Sequence, residues 1–245
     1  MKVAWLNNST NSSSLPVSES PCSSTSNANS NHNLIIFFAG WGMSPAPFQF
    51  LDCEENDVLM IFDYTNDNMP INLQEVLASY TQVDLIAWSL GVAISNDIMQ
   101  PYKQKLQTTL AINGTIMPIH NNFGIPPTIF YATIENLLDG GIAGFYRRMC
   151  KTPVVRKRFM SNPPEREPTN LKKELIALYN KFNNYTPQNP IFTSAIVATD
   201  DKIVPPDNQA GCWNHFSVPY SLLKAPHFPF YEWSTWREIV CQNNK

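Results

Sequence analysis

The run Leu85-Ile86-Ala87-Trp88-Ser89-Leu90-Gly91-Val92-Ala93 carries an apolar, strand-like stretch straight into Ser-x-Gly and on into a helix-like one. This is the pattern of a nucleophile elbow. The turn is so tight that small residues are needed two positions either side of the serine, and it presents the hydroxyl at a sheet's carboxyl edge beside a helix N-terminus. Ala87 stands where glycine is usual, and the competing reading of Ser89 is a helix cap. A serine hydroxyl attacks a carbonyl only when a base takes its proton and an acid orients that base. On such a scaffold the partners follow in the order Ser, Asp, His. Both are available. Ala195-Ile196-Val197-Ala198-Thr199 runs into Asp200-Asp201-Lys202-Ile203-Val204-Pro205, and Ala225-Pro226-His227-Phe228 follows one short apolar segment later. Ser89, Asp201 and His227 are therefore the expected catalytic residues, with Asp200 as the fallback acid. His32 lies in a polar tract, His120 precedes a proline-rich region and His215 precedes the last strand-like run, so each fits less well. The chemistry is acyl transfer: His227 accepts the Ser89 proton while Asp201 holds the imidazole tautomer and stabilises its charged form.

Acyl transfer also needs two backbone donors for the oxyanion, one from the residue after the nucleophile and one from a loop after an early strand. Leu90 supplies the first. Phe38-Ala39-Gly40-Trp41-Gly42-Met43 offers the second at Trp41, where flanking glycines let the backbone come close. An ordinary glycine turn around a buried tryptophan is the alternative. Neither GxGxxG nor GxxxxGK[ST] is complete, so a phosphate-cradling loop is not expected.

Positioning these groups requires a sheet. Short, β-branched apolar runs at 34–39, 58–63, 84–88 and 108–113, with others near 192–199 and 220–224, read as strands buried on both faces. Helix-like stretches at 73–80 and 92–100 alternate with them, which predicts an α/β fold with a mostly parallel, right-handed sheet. From about 115 to 190 the rhythm breaks into prolines, a basic cluster and helical pieces at 130–138 and 170–183. An inserted helical cap is expected there, with two further sheet-packing helices as the plainer alternative. The expected organisation is one domain over 34–245, preceded over 1–33 by a short strand and a Ser/Asn-rich tract. That tract cannot bury enough apolar area to offset chain entropy, so 9–33 is expected to be disordered, as a tail or an overgrown hairpin loop.

Composition narrows the partners. The 245 residues are 43% hydrophobic, only 15% charged, and carry a formal net charge of −3. That leaves no global basic field for a nucleic-acid backbone. The apolar runs fall well short of the roughly eighteen residues a membrane-spanning helix needs, and the N-terminus lacks the apolar core of a secretory signal, so a cytoplasmic location is expected. Cys22, Cys53, Cys150, Cys212 and Cys241 form no close pair and are expected to be reduced and mostly buried; the scattered histidines argue against a metal site.

Taken together, Phe38-Ala39-Gly40-Trp41-Gly42, Ala87-Trp88-Ser89-Leu90-Gly91, Asn113-Gly114-Thr115, Phe123-Gly124-Ile125-Pro126 and Asp201-Lys202-Ile203 form a specific set. From about Asn33 onward the chain resembles the BioG-type pimeloyl-[acyl-carrier protein] methyl ester esterases of biotin synthesis, in the α/β-hydrolase superfamily. The resemblance implies an α/β-hydrolase fold, removal of the methyl group from pimeloyl-ACP methyl ester, no cofactor, and an acidic carrier protein as partner; a monomer is expected, though the sequence does not give the oligomeric state. The resemblance also implies carrier docking on the cap's basic cluster, at Arg147, Arg148, Arg156 and Arg158 with Lys151 and Lys157 nearby, and an acyl channel lined by Phe123, Phe130, Tyr131 and Phe145. A solvated helix face and ordinary core packing are the respective alternatives. A generic carboxylesterase or thioesterase, or a catalytically silent binding protein on the same fold, remain as competing functions.

Overall fold

Parallel pairing dominates the computed structural model, which describes residues 1–6 and 33–244. Most of the tract expected to be disordered lies outside the described residues, Cys22 and His32 with it. Among the described residues seven strands form one sheet: β1 (Lys2–Trp5), β2 (Asn33–Phe38), β3 (Asn56–Phe62), β4 (Gln82–Trp88), β5 (Leu106–Ile112), β6 (Ser194–Ala198) and β7 (Tyr220–Leu223). Their order is β1-β3-β2-β4-β5-β6-β7. All neighbours run parallel except β1, which pairs antiparallel with β3. Continuous apolar strands are what such a sheet demands, because helices and loops cover both faces; Leu34 through Phe38 are all fully buried.

Two expectations change. β1 and the strand after the polar tract do not form a hairpin: Val3 pairs with Ile61 on one side of β3, while Ile36 pairs with Leu59 on the other. Both edges of β2 are already taken by β3 and β4, so β1 cannot pair with β2 and adds to the outer edge of β3 instead. The first strands also start one or two residues early, because Asn33, Asn56 and Gln82 join the ladder through their backbones whatever the polarity of their side chains.

Around the sheet lie α1 (Leu73–Ala78), α2 (Leu90–Met99), α3 (Pro127–Asn136), α4 (Ile142–Cys150), α5 (Pro153–Met160), α6 (Pro168–Phe182), α7 (Pro206–His215) and α8 (Trp236–Val240). α3 to α6 all fall between β5 and β6. α3 passes to α4 through a π turn, Leu137–Gly141, broken at Gly140 with φ +80°. α3 and α6 pack together, and residues of α3, α4 and α6 face Ser89 across a pocket. The one charged side chain inside β4 is paired. Asp84, fully buried in β4, receives the Thr108 amide at 3.0 Å and Arg237 at 3.0 Å.

Candidate active site

β4 ends at Trp88, and the next residue breaks the strand: Ser89 has φ +57° and ψ −127°. Its amide donates to the Ile112 carbonyl of β5 at 2.9 Å, which pins the turn to the sheet. α2 starts at Leu90, so the Ser89 side chain sits where unpaired helix amides converge. That side chain makes no capping hydrogen bond to α2. Such backbone strain is tolerated where the surroundings over-determine it, and here they do. A Cβ on Gly91 would lie 2.4 Å from the Phe38 carbonyl oxygen, and one on Gly114 would lie 2.2 Å from that of Ser89. Gly91→Ala should therefore force the helix off the strand ends and lower stability by about 2–3 kcal/mol, in the range for overpacking. A chemical denaturation curve checks it, and an unchanged midpoint would contradict this account of the elbow.

The three expected residues meet. Ser89 Oγ lies 2.9 Å from His227 Nε2, and His227 Nδ1 lies 2.7 Å from Asp201 Oδ2. All three are buried. Because an ionised carboxylate only accepts, the Nδ1 proton points to Asp201 and leaves Nε2 to accept from the serine hydroxyl. Asp201 is itself held: Oδ1 accepts from the Ile203 and Val204 amides at 2.7 and 3.0 Å, and Oδ2 accepts from Gln209 Nε2 at 3.0 Å. Asp200 points elsewhere. It is paired with Lys151 at 2.5 Å, and that lysine's hydrogen bond holds its carboxyl below the usual carboxylate range. His120 turns Nδ1 to the Asn122 and Phe123 amides, and His215 stacks on Phe123, so neither approaches Ser89 as a base.

The histidine loop carries a second layer of support. Trp88 Nε1 and Asn113 Nδ2 both donate to the His227 carbonyl, at 2.8 and 3.0 Å, while Asn113 Oδ1 accepts the Ala198 amide at 2.8 Å. Asn113, with φ +47°, therefore ties β5, β6 and the His227 loop together. Asn113→Ala removes one of the two donors to the His227 carbonyl, and small misplacements of a catalytic group can cost about 100-fold. We expect kcat to fall at least tenfold, measured by steady-state ester hydrolysis; a change under twofold would show that Trp88 alone suffices.

The hydroxyl opens into a pocket. Trp41, Leu90, Phe130 and Phe145 line it together with Ser89, and Arg148 and Lys202 add charge. Two expected channel residues lie elsewhere. Phe123 is stacked between His120 and His215, with centroids 4.9 and 5.1 Å away. Tyr131 is 51% exposed and leans on Tyr179, because the turn of about 100° per residue carries it to the side of α3 away from the face shared by Ile129, Phe130 and Thr133. Ile125, Ile129, Thr133, Leu175 and Ile203 complete the wall. Of these, Thr133 could have been found from Phe130 by its i+3 spacing, and Ile129 lies four residues before Thr133 on the same helix face; Leu175 comes from a distant helix and carries no local signal.

The basic cluster divides similarly. Arg148 reaches the pocket, Lys151 is engaged with Asp200, and the Arg158 guanidinium stacks 4.0 Å from the Tyr231 ring centroid and 4.8 Å from that of Phe50. Arg147, Arg156 and Lys157 lie exposed on α4 and α5. Burial pushes the Cys53 and Cys150 thiols up to about 12 and the Cys212 thiol to about 11, so none of these is a ready thiolate. Among the described residues no cluster of His, Cys, Asp and Glu could hold a metal ion, and no helix is long and apolar enough to cross a membrane.

A serine at positive φ between a parallel strand and a helix, hydrogen-bonded to a histidine and through it to an aspartate, on a mostly parallel sheet with helices: this defines an α/β hydrolase. The chain belongs to the BioG family of pimeloyl-ACP methyl esterases, whose family model matches residues 24–239. The structure superposes on BioG from Haemophilus influenzae with a TM-score of 0.80 at 27% identity, covering 98% of this chain and 100% of that one. A putative non-heme bromoperoxidase, BpoC from Mycobacterium tuberculosis, shares the fold at a TM-score of 0.59 and 14% identity, over 88% of this chain and 91% of that one. Among curated proteins, a malonyl-[acyl-carrier protein] O-methyltransferase of Bacteroides fragilis is 33% identical over 79% of this chain. The match spans only 39% of that relative's length. An uncharacterized protein of Haemophilus influenzae is 32% identical over 84% of this chain and 94% of its own.

Proposed function

We propose that this protein is a serine carboxylesterase that hydrolyses the methyl ester of pimeloyl-ACP to pimeloyl-ACP and methanol. The carrying observation is the chain of contacts from Ser89 through His227 to Asp201, which opens on an apolar pocket flanked by Arg148 and Lys202. Ser89 Oγ attacks the ester carbonyl while its proton passes to His227 Nε2, and Asp201 stabilises the imidazolium. The Trp41 and Leu90 amides hold the oxyanion. His227 then protonates departing methanol, activates water against the acyl-enzyme, and returns the proton to Ser89 as the acid product leaves. Phe130, Phe145 and the aliphatic wall shed water from the acyl methylenes, at about 0.8 kcal/mol per buried CH₂.

An acyl carrier protein is the proposed partner, supported by the family's description and by the name of the methyltransferase relative. Docking is assigned to the exposed cap cations Arg147 and Arg156, with Arg148 at the pocket. Arg158 contributes less, since its guanidinium is already stacked on Tyr231. The segment with α3 to α6 is read as the cap of a single hydrolase domain.

The deciding experiment incubates purified protein with pimeloyl-ACP methyl ester and follows the carrier-bound acyl group by mass spectrometry. Loss of one methylene equivalent in mass establishes the reaction; an unchanged mass, with a small ester still cleaved, moves the substrate elsewhere. Docking has its own test. Rim charges mainly steer encounter, so Arg147→Ala combined with Arg156→Ala should lower kcat/KM for the carrier-bound ester about tenfold at low salt and lose that difference at high salt. Equal loss on p-nitrophenyl butyrate would contradict a docking role.

A further inference from the structure

The mechanism above uses the Trp41 amide but leaves unexplained a buried charged cluster behind it. Glu174, on α6, is fully buried. Its Oε2 receives Arg166 at 3.0 Å and the Gly42 amide at 3.3 Å, and its Oε1 receives the Tyr64 amide at 2.9 Å. Arg166, buried just before α6, also contacts Asp63 at 3.2 Å and donates from Nη1 to the Met43 carbonyl at 3.0 Å. Asp63 in turn pairs with Lys2 of β1 at 2.9 Å. Burial pushes the Glu174 carboxyl up to about 7 even though Arg166 pulls it down. A buried ion pair adds little to stability, since apolar residues of the same volume often do as well. Its placement points to another role.

Four contacts from this cluster and its neighbours land on the loop that carries Trp41. The Tyr64 hydroxyl donates to the Ala39 carbonyl at 2.7 Å, Glu174 takes the Gly42 amide, Arg166 takes the Met43 carbonyl, and the Trp41 indole donates to the Leu171 carbonyl of α6 at 2.9 Å. Peptide units are planar. The unit bearing the Trp41 N–H is therefore bracketed by held units on both sides, with the side chain between them also held. Three of the four anchors come from one cap segment, residues 166–174. We infer that Glu174, clamped by Arg166, is a positioning residue that sets the Trp41 amide for the oxyanion, so that correct seating of α6 is a condition of catalysis. This rests on the proposed role of Trp41 in serine ester hydrolysis.

An oxyanion donor acts in the transition state rather than on bound substrate, so its misplacement should lower kcat and spare KM. Removing such a donor outright costs about 100- to 1,000-fold. The test measures kcat, KM and the fraction of chains labelled by a fluorophosphonate, with p-nitrophenyl butyrate as substrate, for the full chain and for Glu174→Gln. A loss in kcat per labelled site of about tenfold or more, with KM within about twofold, supports the inference. A smaller loss in kcat, or one that disappears once unlabelled chains are discounted, overturns it. Should Glu174→Gln fail to fold, Glu174→Asp decides by the same criteria: it keeps the charge for Arg166 but withdraws the carboxylate by one methylene from an amide already 3.3 Å away. Were the unaltered protein to resist labelling, or Ser89→Ala to remain active, the esterase reading itself would fall and take this inference with it.

Discussion

Ser89→Ala should lower kcat for ester hydrolysis by about a million-fold, the scale seen when one member of a cooperating triad is deleted. The fold should be untouched. The hydroxyl makes no capping bond to α2, and its partner is His227, whose own position is set by Asp201, Trp88 and Asn113. Removing one oxygen thus takes away the nucleophile without freeing the base. Three measurements check this: hydrolysis rate, melting temperature, and mass of the chain after a fluorophosphonate. The expected result is no turnover, no adduct, and a melting temperature within about 2 °C of the parent, as for a substitution that breaks no packing. Residual turnover above about one per cent would place the nucleophile elsewhere.

Asp201→Asn should cost about 10,000-fold in kcat, and Asp200→Asn less than about threefold. The difference lies in direction rather than in charge. The carboxamide introduced by Asp201→Asn could keep the Ile203 and Val204 amides on its oxygen, but it would turn an N–H donor toward His227 Nδ1. The imidazole would then carry its proton on Nε2 and could no longer accept from Ser89. Asp200 forms an ion pair with Lys151 near the surface, and such pairs contribute little. A side-by-side kcat measurement of the two variants decides, and the opposite ranking would reassign the triad acid.

Elements of the site were legible to the extent that their signals were local. The elbow needed only strand, Ser-x-Gly and helix in succession, and Ala87 fits because the strand's small residue lies fully buried between β2 and β5. Asp201 rather than Asp200 opens the Asp-x-x-Val-Pro stretch, and its Oδ1 contacts to the Ile203 and Val204 amides show what that spacing does: the turn is wound around its own carboxylate. Phe130 and Phe145 face the pocket, whereas Phe123 and Tyr131 do not. Aromatic identity says that a side chain will find a partner, not which one.

Residue type and short spacing therefore sufficed for the alternation of strands and helices, the strand-to-helix turn at Ser89 and the chain order of its hydrogen-bonded partners His227 and Asp201. Bond geometry and hydrophobic periodicity convert these directly into local structure. Tertiary structure alone decided that β1 joins the outer edge of β3, that Arg158 is engaged by Tyr231, and that Glu174 reaches the loop of Trp41 across 132 residues. Those outcomes depend on which edges and cavities remain once the sheet has closed. A buried charge in particular reveals nothing along the chain, because its partners are chosen by whatever donors the folded core leaves unmatched.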